Sequence, residues 1–120
     1  MMKKTLVIGA SVKPDRYAYK AIQRLLNHHH EVEAISNRAG QVGDVVFHID
    51  LPQFEDIDTV TLYLNPTRQR DYYDYIVSLK PNRVIFNPGT ENPELQEILR
   101  ENNIHFEEAC TLVLLGTDQY

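Results

Sequence analysis

Short apolar runs separated by longer amphipathic stretches set the pattern of this chain. Five runs rich in Val, Ile, Leu and aromatic residues cover residues 4–9, 31–35, 58–64, 83–86 and 104–107. Short runs of this kind are typical of strands buried on both faces of a parallel sheet. The first run stops at Gly9, where a glycine lets the backbone turn sharply out of a strand.

Between these runs the apolar residues recur at helical spacing. Residues 15–29 predict an amphipathic helix, whose inner face carries Ala18, Ala21, Ile22, Leu25 and Leu26. The pairs Asn65-Pro66 and Asn92-Pro93 predict two more helix starts, because asparagine caps a helix and proline suits its first turn. Residues 110–115 predict a short closing helix.

The order of these elements predicts the architecture. Residues 36–44, with Gly40 and Gly43, read as a loop, and residues 45–47 as a short extended segment. The resulting order is β-α-β-β-α-β-α-β-α, which favours an α/β, three-layer Rossmann-like fold with a mainly parallel five-stranded sheet and helices on both faces. We expect residues 1–120 to form a single domain, with any ligand at the carboxyl ends of the strands.

Composition narrows the class of protein. The chain has 120 residues, one cysteine, 12 basic and 17 acidic residues, and a net charge of −5. One cysteine excludes an internal disulfide framework, and the negative charge argues against a nucleic-acid binder. No apolar run approaches the roughly 20 residues that a membrane helix needs. The basic start of the chain is followed by too short an apolar run for an export signal, so we expect a cytoplasmic protein.

The charge is unevenly distributed along the chain. Residues 1–40 carry seven basic and three acidic residues, whereas residues 41–120 carry five basic and fourteen acidic ones. The first third is therefore the place to look for an anion site. The alternative is a solvated basic helix face on an acidic protein.

The turn after the first strand can cradle an anion. It contains Gly9, Ala10 and Ser11, followed by Lys13 and Arg16. Backbone amides, a hydroxyl, two cations and the positive end of the next helix would converge there. The turn lacks both the G-x-G-x-x-G and the G-x-x-x-x-G-K-[ST] patterns, so a glycine that only turns the chain is the alternative.

The end of the second strand bears on which nucleotide would bind. Dinucleotide folds place Asp or Glu there to bind the ribose of NAD, but this chain has Ser36, Asn37 and Arg38. The absence of a carboxylate speaks against NAD and permits a nucleotide with a phosphorylated ribose, such as NADP or coenzyme A. Arg38 as a solvated loop residue is the alternative.

The chain shows no catalytic or metal-binding constellation in its sequence. His28, His29 and His30 are adjacent, so on a helix they do not face one point. We expect them to be exposed at the helix C-terminus and to bind no metal. We therefore expect a protein that is not an enzyme.

The start of the chain resembles the opening of the small stand-alone CoA-binding domain family. The residues that carry this resemblance are Gly9, Ala10 and Ser11, followed by Pro14, Asp15, Arg16 and Tyr17. These proteins are similar to the N-terminal domain of the succinyl-CoA synthetase alpha subunit. Further matches along the chain are Asn37, Gly43, Asp58, Pro66, Asn87-Pro88-Gly89 and Cys110. Departures are Arg38 in place of proline, Ala18 in place of serine, Asn87 in place of glutamine, and Ala109 in place of arginine.

The resemblance implies that the chain binds coenzyme A or an acyl-CoA without catalysis of its own. The expected cofactor-binding residues are Gly9, Ala10, Ser11, Lys13, Pro14, Arg16 and Tyr17 at the phosphates, Ser36, Asn37 and Arg38 at the adenosine, Leu64, Asn65, Pro66 and Arg68 on one wall, Asn87, Pro88, Gly89, Thr90 and Glu91 along the pantetheine, and Cys110 near its thiol. One alternative is an NADP-dependent enzyme or a subunit completed by a partner chain. Another is an interaction module whose nucleotide site has decayed.

Overall fold

The computed structural model describes residues 2–120. In chain order, the strands are β1 (Thr5–Ile8), β2 (Val32–Ile35), β3 (Gln41–Val42), β4 (Val45–Val46), β5 (Thr59–Leu62), β6 (Arg83–Phe86) and β7 (His105–Glu108). Five of them form a parallel sheet in the order β2-β1-β5-β6-β7, with Leu6 of β1 paired to Glu33 and Val60. The predicted α/β architecture and its five-stranded parallel sheet are confirmed.

The chain reverses its direction of winding at β1. From β1 it passes to β2 on one side, and later to β5 on the other side. The connections leaving β1 and β5 therefore diverge at the carboxyl edge. Such a switch point leaves a crevice in which ligands of doubly wound sheets bind.

The helices begin where the local signals predict them. They are α1 (Tyr17–Asn27), α2 (Pro66–Gln69), α3 (Tyr73–Leu79), α4 (Pro93–Glu101) and α5 (Thr111–Gly116), with a 3-10 turn (Arg70–Tyr72) between α2 and α3. Asn65 Oδ1 accepts a hydrogen bond from the Arg68 amide at 2.9 Å, and Asn92 Oδ1 accepts one from the Leu95 amide at 3.2 Å. Both asparagines cap their helices, as predicted.

Two apolar layers cover the sheet because successive strand residues point to opposite faces. Leu6 and Ile8 pack in the cluster that includes Ile76 of α3 and Leu99 of α4, and Val7 packs in the one under α1 and α5. Within residues 2–120, no helix is long and apolar enough to cross a membrane.

The structure differs from the sequence-based expectations at three places. The stretch 36–44 is not all loop, because β3 pairs antiparallel with β4 across the turn at Gly43, whose φ is +57°. The helix after Asn65 is broken by the 3-10 turn. His30 is buried rather than exposed, because its Nδ1 accepts a hydrogen bond from the Lys3 amide at 2.8 Å.

Candidate functional site

A cleft of ≈ 930 Å³ opens at the carboxyl edge of the sheet, over the switch point between β1 and β5. The sequence-predicted residues that line it are Gly9, Ala10, Ser11, Lys13, Arg16, Tyr17, Ser36, Asn37, Arg38, Leu64, Asn65, Arg68, Pro88, Gly89 and Thr90. These residues come from the loops after β1, β2, β5 and β6 and from the first turns of α1 and α2. Strand order thus brings together segments that are up to about eighty positions apart in sequence.

A smaller cleft of ≈ 590 Å³ lies at the opposite, amino edge of the sheet, beside Lys3, Lys4 and Asp58. Two of its three lysines, Lys3 and Lys4, already have partners, and the carboxylates of Glu31, Asp56 and Asp58 line the same cleft as Lys80. Lys4 Nζ lies 3.6 Å from the Glu31 carboxylate, and Lys3 Nζ donates to the Tyr120 main-chain oxygen at 2.5 Å. The amino edge therefore offers little charge to a ligand.

Gly9 allows the loops after β1 and β5 to meet at the base of the larger cleft. Its φ is +95°, and a Cβ atom at this position would lie 3.0 Å from the Tyr63 carbonyl carbon and oxygen. A side chain would therefore force the two strand ends apart. The predicted glycine turn has a structural reason beyond turning the chain.

The loop after β1 presents free donors to the cleft. The Ser11 and Val12 amides make no hydrogen bond to any residue in the described range, while the Ser11 hydroxyl accepts one from the Lys13 amide at 3.1 Å. Arg16 is the N-cap of α1 and forms no side-chain cap. The first amides of α1 are thus left for a ligand, and the helix dipole makes that ligand an anion.

Four cations line the cleft: Lys13, Arg16, Arg38 and Arg68. None of them forms an ion pair with a residue that the structure describes, and Asp71 is the acidic residue in the lining. All four are exposed. Converging charges of one sign without internal partners raise the local concentration of anions and favour their binding.

The loop that follows β2 and contains Arg38 forms one side of the cleft. The Ser36 hydroxyl accepts a hydrogen bond from the Arg38 amide at 3.3 Å, and the Ser36 amide donates to His48 at 3.0 Å. Phe47, buried beneath this loop, supplies an apolar surface in the lining. The combination of apolar surface and cation suits an aromatic base with a phosphate near it.

The far side of the cleft is a tight turn after β6. The Thr90 amide donates to the Asn87 carbonyl at 2.9 Å, and Gly89 between them has a φ of +90°. Proline followed by a left-handed glycine is typical of a type II turn. The Glu91 carboxylate accepts from the Gly89 amide at 2.9 Å, which holds the turn from its outer side.

Five predicted site residues lie outside the lining: Pro14, Pro66, Asn87, Glu91 and Cys110. Pro14 is exposed before α1, and Pro66 is the first residue of α2. Cys110 is half-buried as the N-cap of α5. Each follows a strand or starts a helix near the site, but its position along the turn carries it away from the cleft.

Asn87 has a structural role instead. It is buried, its Nδ2 donates to the Thr61 hydroxyl at 2.7 Å and to the Leu62 carbonyl at 2.9 Å, and its Oδ1 accepts from the Thr111 amide at 2.9 Å. Both of its donor hydrogens are thus used. Asn87 joins β6 to β5 and α5 beneath the cleft.

Several residues that line the cleft were not predicted from the sequence: Val12, Ala18, Ala39, Phe47, Tyr63, Thr67, Asp71 and Tyr72. Tyr63 directly follows β5, so its place at a strand end was the available signal. Its hydroxyl is buried and forms no hydrogen bond with a residue that the structure describes, although the Thr61 and Thr111 hydroxyls are close by and bond each other at 2.8 Å. Burial raises the pKa of Tyr63 well above its usual range, so this side chain contributes an uncharged wall.

The chemistry available in the cleft is that of anion binding. Among residues 2–120 there is no group of three or more His, Cys, Asp or Glu side chains placed to hold a metal ion. What converges on the cleft is backbone amides, hydroxyls and cations.

The chain matches the family model described as a CoA binding domain over residues 3–116. No curated protein matches the chain.

Several solved structures share the fold. An uncharacterized protein is 50% identical, with a TM-score of 0.97 over 100% of this chain and 99% of that chain. The structure of cell-free ID.343 from Thermus thermophilus is 19% identical, with a TM-score of 0.85 over 99% and 91%. A dinucleotide-forming acetyl-coenzyme A synthetase 1 from Ca. Korarchaeum cryptofilum, in complex with phosphate and ADP, is 15% identical, with a TM-score of 0.71 over 89% of this chain and 25% of that chain.

Proposed function

The chain belongs to the CoA binding domain family, and from this premise we propose that it binds coenzyme A or an acyl-CoA across the cleft without a chemical step of its own. The observation that carries the proposal is the set of four cations that line the cleft and form no ion pair with any of residues 2–120. Coenzyme A has a diphosphate and a 3′-phosphate, so its charge matches this lining.

The ligand would lie with its adenosine toward β2 and its pantetheine toward β6. The free Ser11 and Val12 amides, with Lys13 and Arg16, would hold the diphosphate. Arg38 would contact the 3′-phosphate. The pantetheine would then cross Tyr63 toward the turn at Pro88 and Gly89.

Calorimetry with coenzyme A, acetyl-CoA and NADP tests the identity of the ligand. We expect coenzyme A and acetyl-CoA to bind and NADP to bind at least tenfold more weakly, because NADP carries its ribose phosphate at the 2′ rather than the 3′ position, and its positively charged nicotinamide ring would lie in a cleft lined by four cations. Tighter binding of NADP would contradict the proposal, and so would no binding of any of the three.

The absence of a chemical step is tested separately. Acetyl-CoA incubated with the protein in molar excess should show no release of free thiol above that of buffer, followed with a thiol-reactive dye. Protein-dependent release that Arg16→Ala reduces in parallel with ligand binding would show that the cleft is catalytic.

A further inference from the structure

One buried side chain joins the two loops that form the far part of the cleft. Gln69, the last residue of α2, is fully buried. Its Nε2 donates to the Leu64 carbonyl and to the Thr90 carbonyl, both at 2.8 Å. Leu64 follows β5 and Thr90 follows β6, and both line the cleft.

The other end of the same amide is also held. Gln69 Oε1 accepts from Asn92 Nδ2 at 2.9 Å, and that nitrogen also donates to the Tyr73 hydroxyl at 2.9 Å. Asn92 in turn caps α4 through its Oδ1. Because both donors and the acceptor of Gln69 are used, the orientation of its amide is determined by the fold.

The side chain of Asn87 joins the start of the turn after β6 to β5 and α5, and the rest of the turn is otherwise held by bonds within itself. The Thr90 amide and hydroxyl both bond the Asn87 carbonyl, at 2.9 and 2.7 Å, and the Gly89 amide bonds Glu91. These bonds shape the turn but do not set its distance from the loop after β5. The Gln69 amide spans that distance directly.

We propose that Gln69 is a positioning residue for the pantetheine half of the ligand: it fixes the separation between Leu64 and Thr90, which line the far part of the cleft. The inference rests on the proposed function, and deepens it by dividing the cleft into two parts. The diphosphate and adenosine contacts at Gly9 and Arg38 lie on other loops and do not depend on Gln69.

The test uses two ligands on one variant. Gln69→Met keeps the length and volume of the side chain and removes all three hydrogen bonds. Calorimetry would compare coenzyme A with adenosine 3′,5′-bisphosphate, which lacks the phosphopantetheine arm. We expect roughly a tenfold loss of affinity for coenzyme A, and a change within about twofold for the bisphosphate, since loosened support for a site lowers affinity only for the groups it positions.

Gln96→Met is the matched control. Gln96 of α4 is also a buried glutamine, but its Nε2 donates to the carboxylate of Glu108 in β7 at 2.9 Å. Gln96 does not line the cleft. This variant should bind both ligands as the original protein does. Asn92→Asp is the second test variant if Gln69→Met does not fold, because it keeps the Oδ1 cap of α4 and removes the donor to Gln69. This variant should also lose affinity for coenzyme A but not for the bisphosphate.

Three outcomes overturn the inference. Equal losses for both ligands would mean that Gln69 supports the fold as a whole, and no loss for coenzyme A would mean that the far loops need no such support. If the unmodified protein binds neither ligand, the proposed function fails and this inference fails with it. Selective loss in Gln69→Met, with normal binding in Gln96→Met, supports it.

Discussion

Arg38 stands in the loop after β2, at the end of the cleft where the adenosine is proposed to lie. Its side chain is exposed and forms no ion pair with a residue in the described part of the chain. An unpaired guanidinium at this point can form charge-assisted hydrogen bonds with a phosphate on the ribose. At the residue scale, the choice of nucleotide therefore depends on single side chains at loop positions.

We predict that coenzyme A binds more tightly than dephospho-CoA, by roughly tenfold or more, because a charge-assisted contact contributes about 1.5–3 kcal/mol. Calorimetry with both ligands measures the difference. Arg38→Ala should abolish the preference while leaving the affinity for dephospho-CoA nearly unchanged. Equal affinities of the original protein for the two ligands would remove Arg38 from the site.

Arg16 offers a second residue-scale test. It is the exposed N-cap of α1 and makes no side-chain cap, so its guanidinium contributes charge to the cleft and little to the helix. We predict that Arg16→Ala lowers the affinity for coenzyme A roughly tenfold and leaves the circular dichroism spectrum unchanged. Arg24→Ala, an exposed arginine in the last turn of α1, is the control and should bind normally. Unfolding of Arg16→Ala, or unchanged binding, would contradict its assignment.

At the scale of elements, the cleft depends on how closely β1 and β5 end beside each other. The turn at Gly9 brings the chain to within contact of the Tyr63 backbone. The predicted strands and caps account for where each loop leaves the sheet. The close approach between two loops does not follow from either loop alone, because it depends on the pairing of β1 with β5.

We predict that Gly9→Ala destabilises the protein by about 2–3 kcal/mol, because it combines a positive φ with a close backbone contact. Urea denaturation of the two forms measures the loss. Gly116→Ala is the control, since a Cβ atom there meets nothing within 4 Å. The free energy of unfolding of this variant should equal that of the original protein or exceed it by at most about 1 kcal/mol. A Gly9→Ala variant as stable as the original would contradict the close approach.

At the scale of the whole molecule, three of the seven basic residues in the first third of the sequence lie together at one edge of the sheet. Lys13 and Arg16 from the loop after β1, Arg38 from the loop after β2 and Arg68 of α2 converge on the cleft of a protein whose net charge is −5. At the opposite edge, internal contacts join the starts of the strands: His30 accepts a hydrogen bond from the Lys3 amide and packs edge-on against Tyr120 at 4.9 Å. We therefore expect one edge to bind the ligand, while the contacts at the other stabilise the fold.

The burial of His30 at the amino edge of the sheet makes the free energy of unfolding depend on pH. Burial, and then the neighbouring positive charges, lower the pKa of His30 below its usual 6.5. Below about pH 6.5 the unfolded chain takes up a proton that the folded protein does not, so stability falls as pH falls, by at most about 1.4 kcal/mol per pH unit. Above that pH this contribution is fully present.

The measurement is urea denaturation between pH 7.5 and 5.5. His30→Asn keeps an acceptor for the Lys3 amide and removes the titrating ring, so its stability should fall less over this range than that of the original protein. His105→Asn, an exposed position, is the control and should follow the original protein. Parallel pH profiles for all three proteins would contradict the assignment to His30.

The sequence by itself determined the α/β order, the strands, the helix starts and the loops that carry the site. These features rest on local causes: apolar runs long enough for one buried strand, and capping residues next to the turns they form. The two-residue strand β3 escaped notice because its pairing with β4 spans a turn inside a polar stretch.

Only the tertiary structure decided which residues at those loops face a ligand. Asn87 and Gln69 are polar residues near strand ends, as site residues are, yet both are buried and bonded to neighbouring elements. Phe47 and Tyr63, which a sequence assigns to the core, form part of the cleft. The reason is physical: the direction of a side chain in a turn depends on contacts with strands distant in sequence, and these exist only once the sheet has formed its order.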